Sequence, residues 1–552
     1  MIGRLVQRHQ AAVVLGLLCV VHLVGTLLVL WRDLPLDFAV PDSFDFYSNL
    51  FQLRTSLELG GLEAAVRYMR APNSHFSYLA MYVPTLASLP FDRVDLAARA
   101  ANVVYFFILV FSVYRLGQRC HSRGAGLLAA ALISLTPAVH GGWRTVGVDF
   151  PALCVTPLAF LWLIRSEGFR RLGASVIFGL TAGAAILIKA QCCFFLVPPA
   201  AYVLGRQLLR DRRSGAPRRP ALVGAVVSVA VVLLVTAVWW LGRLDGILFQ
   251  IRSHSTGEGM VYYEGDISLL GGVLHYAQAF SPLITGPLTL ALVAVAVPFF
   301  RRSRLRWEVL LWIVVPLVLH VVLKVRHFRY LYPLVPALAL VLGVGLWSLA
   351  PRVRRVALPA VALVAVALWI VCPLSGARCR FNVPGPVAAY HRLTETAAGS
   401  LLLGCGEPTF VAPACPPATG QHVVDVARSM ARWIKKQRRR PEVVVYFTHG
   451  ELAHAIALQR LLPQVRLSLY DQPILPYYLP PESWDSFVIM PVHTEAAVLR
   501  RMSKRRTVGL FSGVHATADG ARQPRLFGLL KLSGEDDWHP ALPYPFLTRL
   551  GE

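Results

Sequence analysis

Long apolar runs alternate with short polar stretches over the first two thirds of the chain. A helix needs roughly 17–25 apolar residues to cross the hydrocarbon of a bilayer, and about eleven runs come near that length. We predict membrane helices at 11–31, 94–114, 124–139, 150–164, 172–188, 192–207, 221–241, 283–300, 307–323, 330–349 and 356–373. The first run is too long for a secretory signal, and no small-residue cleavage site follows it, so we interpret it as a retained anchor.

The polar stretches between these helices differ in charge. Arginines follow every second helix, as in "RQLLRDRRSGAPRRP" after the sixth and "RRSRLR" after the eighth. Because basic loops stay in the cytoplasm, the N-terminus is predicted to be cytoplasmic, and everything after residue 373 is predicted to be exterior. The pattern predicts a multi-pass protein of the plasma (inner) membrane.

The composition agrees with a membrane protein. Of the 552 residues, 55% are hydrophobic and 15% are charged, whereas soluble domains are about a quarter charged. The net charge of +25 is explained by the topology signal and by contacts with anionic lipid head groups. It therefore does not indicate nucleic acid as a partner.

The last third of the chain has a different pattern. "PEVVVYFTHGELAHAIALQRLLPQVRLSLY" predicts a strand, a helix and a second strand. We predict a polytopic α-helical membrane domain of about eleven helices over 1–376 and an exterior α/β domain over 377–552.

Ionisable residues gather at the predicted exterior ends of the membrane helices. They are Asp42, Asp45, Asp149, Lys189, His254, Glu258, Glu264, Lys324, Arg326 and His327. A single residue of this kind can be an interfacial side chain that extends to water. A whole set at one depth predicts a functional site at the outer membrane–water interface.

Three stretches carry a resemblance to a known family. They are "GVDFPALCVTPLAFLWL" (147–163), "GLTAGAAILIKAQCCFFLVPPAAYVL" (179–204) and "KVRHFRYLYPLVPALALVLGVGL" (324–346). In this order they resemble the C-type (GT-C) glycosyltransferases, particularly the bacterial relatives of protein O-mannosyltransferases and lipid A aminoarabinose transferases. "PNSHFSYLAMYVPTLASLPF" is similar to the segment that follows the acidic motif of those enzymes.

The resemblance implies an inverting glycosyltransferase with a GT-C fold. Its donor would be a polyprenyl-phosphate-linked sugar, and its acceptor a lipid, a glycan or a protein. Such an enzyme needs a carboxylate that takes the proton of the acceptor or holds it by hydrogen bonding. It also needs cations that stabilise the departing prenyl phosphate.

The stretch "VPDSFDFYSNLFQL" (40–53) contains two candidates for that carboxylate, Asp42 and Asp45. The family often has Glu after the first acid, where this chain has Ser43. "FDFYSN" is instead similar to the Phe-Asp-Pro-x-x-Asn motif of the oligosaccharyltransferase catalytic subunit, which favours Asp45. Tyr47 lies beside the two acids as a candidate substrate contact.

The resemblance also implies roles for residues in the other matching stretches. The donor phosphate is assigned to Lys189 and Arg326, with Lys324 nearby. Asp149 matches a second acidic position, where it could orient the acceptor or help to hold a metal. The alternative is that Asp149 caps a helix just before Pro151.

Residues 251–283 resemble the family's mobile exterior loop, with His254 early and Tyr276 near the end. His75 stands where the aminoarabinose transferases have Lys. Together with an aspartate, His75 and His254 could form a divalent metal site, although loop histidines are usually solvated. The spacing does not require a metal, and no other cofactor is predicted.

The sequence is also compatible with two other functions. The chain could be a catalytically inactive GT-C relative that serves as an assembly or binding subunit, which the missing Glu after Asp42 allows. It could also be a transporter of lipid-linked sugars, although no internal repeat of the kind that transporters show is visible.

Overall fold

The computed structural model describes residues 13–24, 79–90, 94–136, 147–240, 296–323, 328–360, 417–437, 442–447, 464–469, 484–492, 508–516 and 522–532, together with scattered single positions such as Trp143 and Tyr276. Its helices are α1 Val13–Val24, α2 Leu79–Ser88, α3 Val94–Ala100, α4 Asn102–Cys120, α5 Arg123–Ser134, α6 Asp149–Arg165, α7 Leu172–Ile188, α8 Cys192–Ser214, α9 Arg219–Trp240, α10 Arg306–Val322, α11 Val335–Trp347 and α12 Pro417–Gln437. Residues 351–360 are also helical, and Phe328–Leu334 forms a 3₁₀ helix before α11.

Four of the described helices are long and apolar enough to cross a membrane. They are Ala97–Cys120, Cys192–Ser214, Arg219–Ala237 and Tyr330–Trp347. Several shorter apolar helices accompany them, including α5 and α7. The chain is therefore a multi-pass membrane protein that is mostly helical in the described residues.

The helix bounds differ from those predicted in informative ways. The helix predicted at 172–188 has those bounds as α7, but the one predicted at 192–207 continues to Ser214. Helix α2 lies inside a stretch predicted as a loop. Hydropathy marks only apolar runs that are long enough to span a bilayer, so a polar last turn and an apolar helix of 10 residues both escape it.

The described elements belong to two compact units. The first is drawn from Met1–Thr26, Pro72–Ala80 and Asn102–Ala412, and the second from Leu27–Ala71, Met81–Ala101 and Pro413–Glu552. The division at residue 376, and the exterior location of the part that follows it, stay predictions.

In the first unit, one end of the helix bundle collects the arginines. Arg170, in the loop between α6 and α7, donates to Asp211 of α8 at 2.9 Å. Arg206 of α8 pairs with Glu308 of α10 at 2.7 Å. The amide of Arg304, just before α10, donates to the last carbonyl of α4 at 3.0 Å. The basic segments that the charge pattern assigns to one side therefore lie at one end of the bundle, which we call the arginine end.

Small residues bring α7 close to α9. A Cβ atom placed on Gly179 would lie 2.7 Å from the carbonyl oxygen of Ser228 and 2.8 Å from Cβ of Val231. The hydroxyl of Ser228 also donates to the carbonyl of Ser175 across the same interface, at 2.9 Å. Close packing of small residues with an interhelical hydrogen bond is a common way for membrane helices to associate.

An aromatic cluster supports the start of α6. The Trp143 ring lies 4.5 Å from Phe106 of α4 and 6.4 Å from Phe150 of α6, measured between centroids. The Asn102 side chain donates to the carbonyl of Trp143 at 2.8 Å. Trp143, six residues before α6, is thus held by both packing and hydrogen bonding.

The second unit contains a five-stranded sheet. Its strands are β1 Glu442–Phe447, β2 Val465–Leu469, β3 Trp484–Val492, β4 Val508–Ala516 and β5 Arg522–Leu532. The spatial order is β2-β1-β3-β5-β4. Strand β1 runs parallel to β2 and β3, whereas β5 is antiparallel to β3 and β4. Helix α12 buries one apolar face, with Val426, Met430 and Ile434 each at most 3% exposed.

Candidate active site

Asp149 and Lys189 form an ion pair at the end of the bundle away from the arginine end. Helices α6 and α7 pack side by side and have 17 residues each, and one short loop joins the end of α6 to the start of α7. The first residue of α6, Asp149, therefore lies at the same depth as the residue that follows α7, Lys189. The two side chains are only 18% and 13% exposed, respectively.

The backbone around Lys189 explains why its side chain is held there. Lys189 has an extended conformation, with φ −153° and ψ 114°, and ends α7. Its N–H donates to the carbonyl of Ala185 at 2.9 Å, and its own carbonyl accepts from the N–H of Cys192 at 2.9 Å. Since Cys192 begins α8, the lysine is fixed in a tight turn between two packed helices.

Asp149 does not act as a helix cap. The N-cap position of α6 is occupied by Val148, which makes no side-chain capping hydrogen bond, and Asp149 lies in the first turn. The capping alternative is therefore wrong. The Asp149 carboxylate benefits from the positive end of the α6 dipole while it contacts the Lys189 ammonium.

An aromatic ring forms the next contact of Lys189. The ammonium lies 4.9 Å from the centroid of the Tyr330 ring, within the range of a cation–π interaction. Tyr330 is 9% exposed and belongs to the 3₁₀ helix, which contains Pro333. The helix predicted over 330–349 thus begins with a tighter turn, which presents Tyr330 to the lysine.

A buried histidine packs behind Tyr330. His320, near the end of α10, is fully buried, and its Nδ1 lies 2.7 Å from the carbonyl oxygen of Pro316. Its ring centroid is 6.1 Å from that of Tyr330 and 6.3 Å from that of Tyr276. Tyr276 was a candidate from the sequence, whereas His320 and Tyr330 were not. The signal for His320 was a single histidine near the end of a strongly apolar helix.

The remaining sequence candidates lie outside the described residues. These are Asp42, Asp45, Tyr47, His75, His254, Lys324 and Arg326. Within the described part of the chain, no group of three His, Cys, Asp or Glu residues is arranged to hold a metal ion. The possible metal site at His75 and His254 stays a prediction.

The described geometry has a definite chemical capacity. A lysine ammonium has three donor hydrogens, so it can keep one contact with Asp149 and donate to another oxygen anion. Because the pair is mostly buried, its charges are screened less than those of an exposed pair. The arrangement suits an anionic group that approaches from this end of the bundle.

Comparison with known proteins places this geometry in a family context. Residues 77–240, which include both members of the ion pair, match the family model described as dolichyl-phosphate-mannose-protein mannosyltransferase. The crystal structure of ArnT from Cupriavidus metallidurans bound to undecaprenyl phosphate is 16% identical and superposes with a TM-score of 0.54. The alignment covers 94% of this chain and 97% of that one. The chain is a membrane protein with the C-type (GT-C) glycosyltransferase fold.

Two further solved structures match this chain with lower TM-scores. ArnT from Cupriavidus metallidurans in the apo state is 16% identical, with a TM-score of 0.50 and coverage of 93% of this chain and 97% of that one. The archaeal oligosaccharyltransferase AglB from Archaeoglobus fulgidus is 12% identical, with a TM-score of 0.44 and coverage of 94% and 74%. A comparison with curated protein sequences gives no significant match.

Proposed function

We propose that the chain is an inverting glycosyltransferase that moves a sugar from a polyprenyl-phosphate donor to an acceptor at the outer face of the membrane. The observation that carries this proposal is the Asp149–Lys189 pair, held against Tyr330 at the end of a GT-C bundle opposite the arginines. The matched family segment contains both charged residues, which adds support.

The nature of the donor follows from where the lysine lies. A polyprenyl phosphate keeps its apolar tail in the bilayer and its phosphate near the interface, within reach of a cation at the end of a membrane helix. The structural neighbour ArnT was crystallised with undecaprenyl phosphate, which supports a lipid-linked donor for this chain as well. We assign the donor phosphate to Lys189, with Arg326 and Lys324 as further candidates.

In the proposed reaction, a hydroxyl or amine of the acceptor attacks the anomeric carbon of the sugar. The bond between that carbon and the phosphate oxygen breaks, and a single displacement inverts the configuration. The prenyl phosphate gains negative charge as it leaves, and a preorganised, mostly buried Lys189 stabilises that charge better than water does.

The proton of the acceptor needs a carboxylate. Asp149 is already engaged with Lys189, so we assign it to positioning the lysine, and we assign the proton to Asp45 or Asp42. Whether a divalent metal at His75 and His254 takes part is a separate proposal, which loss of activity in EDTA and its recovery with Mg²⁺ or Mn²⁺ would support.

The experiment is turnover by the purified protein in liposomes supplied with radiolabelled polyprenyl-phosphate sugars and an envelope extract as the source of acceptor. Lys189→Ala should lower the rate by about 10²–10³, as expected when a donor to a developing charge is removed. The matched control is Arg354→Ala, because Arg354 also lies over an aromatic ring, that of Trp347, at 4.7 Å.

The outcomes separate the competing functions. Transfer by the parent protein that survives in Lys189→Ala contradicts the phosphate role of the lysine. Movement of an intact donor across the liposome membrane without transfer supports the transporter alternative. If the protein shows neither transfer nor movement with any donor, the inactive relative is supported.

A further inference from the structure

Three arginines cluster at the arginine end without a carboxylate between them. Arg115 and Arg119 are one turn apart on α4, and Arg165 is the last residue of α6, which packs against α4. Like charges four residues apart on one helix face destabilise each other, and the packing of α6 against α4 adds a third positive charge at the same end of the bundle. All three side chains are half-buried, so water screens this repulsion only in part.

Some other arginines at this end have acidic partners. Arg170 is paired with Asp211, and Arg206 is paired with Glu308. Glu167, two residues after Arg165, is 52% exposed and already bonded to Arg171 at 2.8 Å. Among the residues that the structure describes, Arg115, Arg119 and Arg165 have no carboxylate within ion-pair distance.

The dipole of a helix favours a cation at its C-terminus, which accounts for one arginine on each helix. It does not account for three guanidinium groups from two helices that repel one another. Such a cluster is stable when an anion neutralises it, and the planar guanidinium fork suits phosphate oxygens in particular.

One aromatic contact of the cluster indicates its depth in the membrane. The Arg165 guanidinium lies 4.6 Å from the centroid of the Trp162 ring, and tryptophan is enriched at the level of the lipid head groups. Arg115 donates to the side-chain oxygen of Gln118 at 3.0 Å, which orients its remaining donors. We infer from this that the cluster lies at the level of the lipid phosphates.

We propose that Arg115, Arg119 and Arg165 form a binding site for the phosphate of an anionic phospholipid in the leaflet at the arginine end. Basic pockets between membrane helices bind such head groups. The site is separate from the Asp149–Lys189 pair, so the proposal does not depend on glycosyl transfer. Each arginine is expected to strengthen binding about fivefold.

The test compares thermal unfolding of the purified protein in neutral detergent with and without added phosphatidylglycerol. A ligand that binds only the folded state raises the melting temperature, so the parent protein should be stabilised, and phosphatidylcholine should have a much smaller effect. The triple variant Arg115→Gln/Arg119→Gln/Arg165→Gln should lose at least half of the stabilisation by phosphatidylglycerol.

The control is Arg210→Gln/Arg212→Gln/Arg213→Gln, which removes the same charge from exposed positions on α8. It should keep the stabilisation. The single variant Arg119→Gln controls for misfolding. In lipid-free neutral detergent it should melt no lower than the parent protein, because it relieves charge repulsion. Its melting temperature should nevertheless rise less than that of the parent when phosphatidylglycerol is added. Equal lipid stabilisation of the triple variant and the control would overturn the proposal, as would equal effects of the two lipids on the parent protein.

Discussion

At the residue scale, the contact between Asp149 and Lys189 joins two residues that the sequence assigned to different tasks. The charge pattern placed both among the ionisable residues at the exterior helix ends, and the resemblance to family motifs gave each its own role. Their contact depends on the equal lengths of α6 and α7 and on the turn after Lys189, which no local pattern specifies. Tyr330 and His320 escaped prediction because, in sequence, an aromatic residue and a histidine beside apolar helices most often indicate core packing.

Asp42 and Asp45, the two acids of the stretch 40–53, are distinguished by removing their charges one at a time. We expect Asp45→Asn, which keeps the size of the side chain, to lower transfer at least about a hundredfold, because a positioned base contributes roughly 10²–10⁴ in rate. Asp42→Asn should cost less. The measurement is turnover with the lipid-linked donor, with membrane insertion checked for each variant. If Asp42→Asn is the inactive one, the aminoarabinose-transferase alignment of the motif is the correct one. If both variants keep most of their activity, neither acid is the base.

At the scale of elements, apolar runs located the helices but not their ends. The bounds of α7 were predictable because the residues that flank it, Arg171 and Lys189, are both charged. Helix α8 was predicted seven residues too short because its last turns, Leu208–Ser214, are mostly charged, and a tertiary ion pair to Asp211 stabilises them. Helix α2 has only 10 residues and contains Pro84, so it carries no strong periodic signal.

The α7–α9 interface gives a sharp test of packing. Gly179→Ala should destabilise the protein by about 1–3 kcal/mol, because the added Cβ meets backbone and a β-branched side chain. Gly173→Ala in the same helix is the control, since nothing lies within 4 Å of the position of its added Cβ. It should leave stability unchanged or raise it by up to about 1 kcal/mol through helix propensity. Thermal unfolding in detergent measures both, and equal shifts would contradict the close contact.

At the scale of the whole molecule, the alternation of basic loops was enough to predict which helix ends lie together. Ion pairs and hydrogen bonds hold these helix ends together at the arginine end. They join the loop after α6 to α8, α8 to α10, and the segment before α10 to α4. The order and direction of the strands in the sheet could not be predicted from the sequence, because they depend on contacts between residues far apart in the chain.

The orientation of the molecule is tested with introduced cysteines and a thiol reagent that cannot cross the membrane. Ser214→Cys, at the end of α8, should resist labelling in intact cells and label after permeabilisation, because basic loops face the cytoplasm. Ser483→Cys should label in intact cells. The native cysteines set the background, which the parent protein measures. The reverse labelling pattern would contradict an exterior location of the site and, with it, the proposed donor chemistry.

The length of the α6–α7 hairpin has a consequence for the surrounding bilayer. Its two helices of 17 residues are each about 26 Å long at 1.5 Å per residue, shorter than a typical hydrocarbon thickness of about 30 Å. Polar groups mark both of its ends, so a bilayer of ordinary thickness must thin around the hairpin or leave one end below the head groups. With the arginine end at its own interface, thinning would bring the opposite leaflet down to the level of Lys189. Under the proposed function, acyl-chain length then affects the rate of transfer, because a thinner membrane brings the donor phosphate to Lys189 with less deformation.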